Sequence, residues 1–174
     1  MAGKANYSAA GILNLLFLGT AFGGSGGAGT NIAINASVNA VGNWYISLHT
    51  NDPTTTGGQN TNEVSYTGYA RVAVARTTAG WTVTNANATC TPNANIQFAA
   101  STGGTGGAVN FFGIGDSATG SNGNLIYVGS LSPVVTIANG VTPIILNNST
   151  IVESVSIDNS LDEAVSRHSV FLSA

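Results

Sequence analysis

Between residues 44 and 157 the chain alternates apolar and polar positions in short stretches. Trp44, Ile46 and Leu48 fall on one side of an extended segment and Tyr45, Ser47 and His49 on the other, the two-residue period of a strand with one covered face. Ala70, Val72 and Val74 repeat the pattern. Strands are predicted at 44–49, 69–76, 96–99, 109–115, 125–131, 134–138 and 151–157. Between them lie turn formers such as Asp52-Pro53, Thr56-Gly57-Gly58, Gly103-Gly104, Gly120-Ser121-Asn122-Gly123 and Asn139-Gly140, residues that supply positive φ, a preset φ or local side-chain hydrogen bonds. Only the beginning differs. Ser8 is placed to cap a helix over 8–18 whose apolar positions Ile12, Leu13, Leu15, Leu16 and Phe17 cover more than one face, with Gly19 as the stop. Many short strands with frequent turns and a single short helix predict an all-β fold, an antiparallel β-sandwich or jelly roll with a short N-terminal helix.

The division along the chain follows from these signals. Residues 1–22 form a helical anchor, 23–40 a glycine-rich connector and first strand region, 41–157 the β-sandwich domain and 158–174 a tail. The tail holds Asp158, Asp162, Glu163 and Arg167, a capping-box spacing from Ser160 to Glu163, and the apolar end Val170, Phe171 and Leu172. Lys4 followed by the apolar run from Ala9 to Phe22 has the outline of a signal peptide, but it reads as the helical anchor and is too short to span a bilayer.

Composition changes the picture in one respect. Of 174 residues 43% are apolar but only 6% are charged, where an ordinary soluble domain has about 25%. Asn, Thr, Ser and Gly stand in place of Lys, Glu and Asp, giving a polar surface that costs little to desolvate and therefore suits burial against other proteins. Four Lys and Arg against seven Asp and Glu leave no basic stripe to neutralise phosphates, so neither nucleic acid nor an anionic membrane is an expected partner. With Cys90 as the only cysteine, no intrachain disulfide can form.

Candidate chemistry is sparse. The run 23–29 contains both G-x-G-x-x-G and G-x-S-x-G around Ser25, yet each motif requires a strand before it and a helix after it, the reverse of the order here. His49 and His168 have no second ligand at metal spacing, and His49, at a strand end, reads as a rim or turn residue. Asp52 and Glu63 are the nearest thing to an acid pair, but residues of this kind in such loops usually make turn hydrogen bonds. Asp116 is placed to cap the turn leaving its strand. Arg71 and Arg76 sit in a predicted strand, and a strand arginine among so few charges calls for an acidic partner, Glu63 for Arg71. Five N-x-Ser/Thr sequons begin at Asn6, Asn35, Asn87, Asn147 and Asn148 and follow from the composition alone. No catalytic, cofactor-binding or metal site is expected, and no cofactor.

A more specific signal lies in the order of several pieces. Trp44-Tyr45-Ile46-Ser47-Leu48-His49-Thr50-Asn51-Asp52-Pro53, then Asn62-Glu63-Val64-Ser65, then Gly68-Tyr69-Ala70-Arg71-Val72-Ala73-Val74 resembles a family of small bacteriophage virion proteins of the tail-fibre-like and capsid-decoration kind. Phe111 to Asp116, Asn124 to Leu131 and Ile137 to Gly140 extend the likeness. The resemblance implies a structural protein of the virion, assembled in the host cytoplasm, and not an enzyme. The expectation is a capsid decoration (cement) subunit, a homo-oligomer, trimeric, that holds the major capsid protein. The alternative is a tail-fibre or receptor-binding tip protein, with tail proteins or a host receptor as partners. Ile12, Leu13, Leu15, Leu16, Phe17, Val170, Phe171 and Leu172 are the candidate interface residues.

Overall fold

The structure, a computed structural model, describes residues 6–20, 42–55, 58–104, 107–120 and 123–153. It is built mostly of antiparallel sheets with one short helical segment at the N-terminal end. The connector at 23–40, the tail at 158–174 with Val170, Phe171 and Leu172, and His168 lie outside the described residues, as does the predicted strand at 151–157 beyond Glu153.

Two compact units are formed, one from the described residues 6–20, 83–90 and 150–153, the other from 42–82 and 91–149. In the first, helix α1 (Asn6–Leu13) continues as a wider π-helical turn, Asn14–Leu18, which Gly19 closes at φ 64°. Glycine adopts this left-handed conformation without the Cβ penalty that other residues meet, so it serves as the stop. Ser8, expected as the cap, lies instead inside α1, because the helix already runs from Asn6. Asn14 steadies the widened turn by donating from Nδ2 to Ala10 O at 2.8 Å and to Asn85 Oδ1 at 2.7 Å. Leu13 and Phe17 are fully buried within the chain, while Ile12, Leu15 and Leu16 are half-buried.

A hairpin of β3 (Trp81–Thr84) and β4 (Thr89–Pro92) continues through β4 to β9 (Ile151–Val152) in a three-stranded sheet. Cys90 pairs with Ile151 in this ladder and is completely buried. Burial pushes its thiol up to about 12, since a thiolate loses its hydration there. The folded chain should therefore resist alkylation by a thiol reagent at pH 8 and react at once in denaturant. Equal rates in the two conditions would contradict this packing.

The second unit holds a four-stranded sheet in the order β2-β1-β6-β7, all antiparallel, from β1 (Asn43–His49), β2 (Val72–Ala75), β6 (Gly107–Gly115) and β7 (Leu125–Ile137). A two-stranded ladder joins β5 (Ile96–Gln97) to β8 (Ile144–Ile145). Trp44, Ile46 and Leu48 are buried, together with Val64, Tyr66, Phe98, Val109 and Ile114.

Three differences from the expected strands have physical causes. The segments 125–131 and 134–138 are one strand: β7 is an edge strand, where Pro133 needs no outward N–H partner. The stretch 69–76 narrows to β2, since Tyr69 and Arg71 follow the turn at Gly68, which has φ 96°. The β3–β4 hairpin was not predicted, because its strands are only four residues each and β4 carries no large apolar residue. Among the described residues no helix is long and apolar enough to cross a membrane.

Candidate functional site

The polar face of β1 carries two of the buried polar residues, Ser47 and His49. Tyr45, Ser47 and His49 share this face, and the register places Gly115 opposite Tyr45 and Gly113 opposite Ser47. Two glycines on the neighbouring strand leave a hollow. A Cβ at Gly113 would stand 2.7 Å from His49 Nε2 and 2.9 Å from Ser47 Oγ, and one at Gly115 would collide with the Gln59 carboxamide. The loop carrying Gln59 and Glu63 covers the hollow, anchored by Gln59 N donating to Gly123 O at 2.7 Å and by a bridge between His49 and Glu63.

Ser47, His49 and Gln59 all have zero exposure. His49 is thus not the rim residue expected from its place at a strand end, because the 58–63 loop closes over it. Its tautomer is fixed by chemistry: Thr61 O can only accept, so His49 Nδ1 donates to it at 2.8 Å. Nε2 of the neutral ring is then an acceptor, and Ser47 Oγ donates to it at 2.9 Å. Gln59 Nε2 donates to Tyr45 O at 2.7 Å and reaches Ser47 Oγ at 3.5 Å, while its Oε1 accepts from Ser117 N at 3.2 Å.

Burial holds His49 below its ordinary pKa, outweighing the bond to Thr61 and the attraction of Glu63. The unfolded state therefore binds the proton first as pH falls, and stability declines below the unfolded value of about 6.5 until the folded pKa is passed. Denaturant midpoints measured from pH 7.5 to 5 should fall, and His49→Gln should flatten that dependence. A wild-type midpoint that stays constant would contradict a neutral buried ring.

Beside this cluster Arg71 and Glu63 form a bidentate pair, Nε to Oε1 and Nη2 to Oε2, both 2.7 Å, with the Arg71 side chain only 2% exposed. Arg71 Nη1 also donates to Ser117 O at 3.0 Å and Thr119 O at 2.6 Å. Tyr69 O–H donates to Glu63 Oε1 at 2.7 Å and accepts from Leu48 N at 3.1 Å. Burial, aided by the Glu63 charge, raises the Tyr69 phenol well above its usual range, and the bonds to Glu63 hold Arg71 protonated. The residues named as an acid pair are thus employed separately. Asp52 accepts from Thr54 N and Oγ1, which lowers its pKa, and is solvent-exposed.

Asp116 closes the 116–124 loop by accepting from Asn124 N and Nδ2, each at 2.8 Å. Arg76 lies over the Trp44 ring at 4.7 Å, a cation–π contact. No group of three His, Cys, Asp or Glu able to hold a metal occurs among the described residues. Sequence reasoning missed Gln59 altogether; the glycines at 113 and 115 were the signal, legible only once their register against β1 is known.

A family model described as "Podophage GP4 fiber I protein gp80" matches residues 30–153. The comparison with curated proteins finds no match. The matched range takes in every strand among the described residues and the polar cluster and leaves α1 outside it.

Proposed function

Because the chain belongs to the podophage GP4 fiber I protein gp80 family, a family of phage fibre-type virion proteins, we propose that it is a structural subunit of a fibre on the phage particle. The family match over residues 30–153 carries this reading. Its surface chemistry supports it: a chain with 6% charged residues meets neighbours through apolar burial and neutral hydrogen bonds, contacts that salt does not screen. Among the described residues Ser47, His49 and Gln59 are fully buried, and the proposed role is structural, not enzymatic.

The subunit assembles with further copies of itself in the host cytoplasm, three being the expected number, and joins other tail proteins. The same low-charge surface would also serve a cement subunit gripping the major capsid protein. The copy number in purified virions separates the two. Quantitative mass spectrometry should give a few copies for each tail, and an abundance proportional to the major capsid protein would overturn the fibre assignment in favour of head decoration.

A further inference from the structure

The cluster beneath the 58–63 loop contains the parts of an acyl-transfer site with both reactants on the same chain. Ser47 is a hydroxyl nucleophile hydrogen-bonded to the acceptor nitrogen of His49, and His49 is held in that tautomer from its far side by Thr61 O, the nucleophile, base and orienter arrangement of covalent catalysis. The electrophile is the Gln59 carboxamide. Its nitrogen lies 3.5 Å from Ser47 Oγ and its oxygen already accepts the Ser117 N–H, a donor placed where negative charge would develop.

From this geometry we propose that Ser47 and Gln59 become joined by an intramolecular ester after the chain folds. His49 Nε2 takes the Ser47 hydroxyl proton as Oγ bonds to Gln59 Cδ. The resulting oxyanion on Oε1 is held by Ser117 N–H. Collapse of this intermediate re-forms the carbonyl and breaks the Cδ–Nε2 bond, while His49 returns the proton to the departing nitrogen. The products are an ester and one ammonia; no oxidant and no water is consumed. The bond from Gln59 Nε2 to Tyr45 O is the one that lengthens as the carboxamide turns its carbon to the hydroxyl.

Two further features favour the reaction. Burial keeps His49 neutral, and only the neutral ring accepts a proton. Complete burial of Ser47, His49 and Gln59 also excludes the water that would hydrolyse the ester. Glycines 113 and 115 leave the space in which the groups approach each other. The product would tie the covering loop covalently to β1, which is useful in a protein exposed outside the cell, although the chemistry does not depend on the fibre reading.

Intact-mass measurement of the folded full-length chain tests this directly. The expected mass is lower than the sequence requires by one ammonia. After cleavage on the N-terminal side of Asp52, the fragments carrying Ser47 and Gln59 should remain joined. Ser47→Ala and Gln59→Ala should each have the full mass expected for their sequences. An unshifted wild-type mass overturns the proposal whatever the variants do. So does an ammonia loss that persists in Ser47→Ala, or one located at an asparagine such as Asn139 before Gly140.

Discussion

Glu63→Gln should lower the stability of the folded chain by about 3–5 kcal/mol, the cost of removing one partner from a buried ion pair. The loss falls on Arg71, whose side chain is 2% exposed and whose Nε and Nη2 both donate to the Glu63 carboxylate. With the charge gone, a desolvated guanidinium keeps the carbonyls of Ser117 and Thr119 and a single neutral amide oxygen in place of the two carboxylate oxygens. Tyr69 also loses the anion to which it donates. Small domains have a total stability of only about 5–15 kcal/mol, so the variant should unfold at much lower denaturant concentration. The double variant Glu63→Gln with Arg71→Met removes the stranded charge and should be less destabilised than Glu63→Gln alone. A Glu63→Gln midpoint within error of wild type would mean that the pair is not desolvated in solution.

Phe98→Ala should cost about 3–5 kcal/mol by opening a cavity in the core. Phe98 is 1% exposed and stacks on Tyr69 with ring centroids 6.2 Å apart and planes at 10°. Tyr69 in turn meets Tyr66 edge-on at 5.3 Å. Truncation therefore leaves a void beside the tyrosine that holds Glu63, and the effect should couple to Glu63→Gln in a double-mutant cycle. Val152→Ala, at a side chain 58% exposed, is the control and should stay within about 0.5 kcal/mol. Similar losses from the two single substitutions would contradict the burial pattern.

The strands with two apolar positions on one side were legible in the sequence. Trp44, Ile46 and Leu48 set β1, and the run from Val109 to Gly115 set most of β6. The β3–β4 hairpin was not legible, because each strand has only four residues and β4, Thr89-Cys90-Thr91-Pro92, carries no large apolar side chain to mark a covered face. The strands expected at 125–131 and 134–138 are one strand, because Pro133 lies on an edge strand and breaks nothing there.

The site divides in the same way. With few charges in the chain, Glu63 could be named for Arg71 without a structure. The burial of His49 could not be read from strand alternation, because its cover comes from a loop whose Thr61 lies 12 residues further on. Gln59 carries no local pattern, and its role follows from the cross-strand placement of Gly113 and Gly115.

The position of the chain on the phage particle tests the central claim most directly. In an image reconstruction of intact virions, the antiparallel four-stranded sheet of residues 43–137 should fit density in a fibre attached to the tail. Density for it distributed over the head shell, at the lattice positions of the capsid protein, would contradict the account.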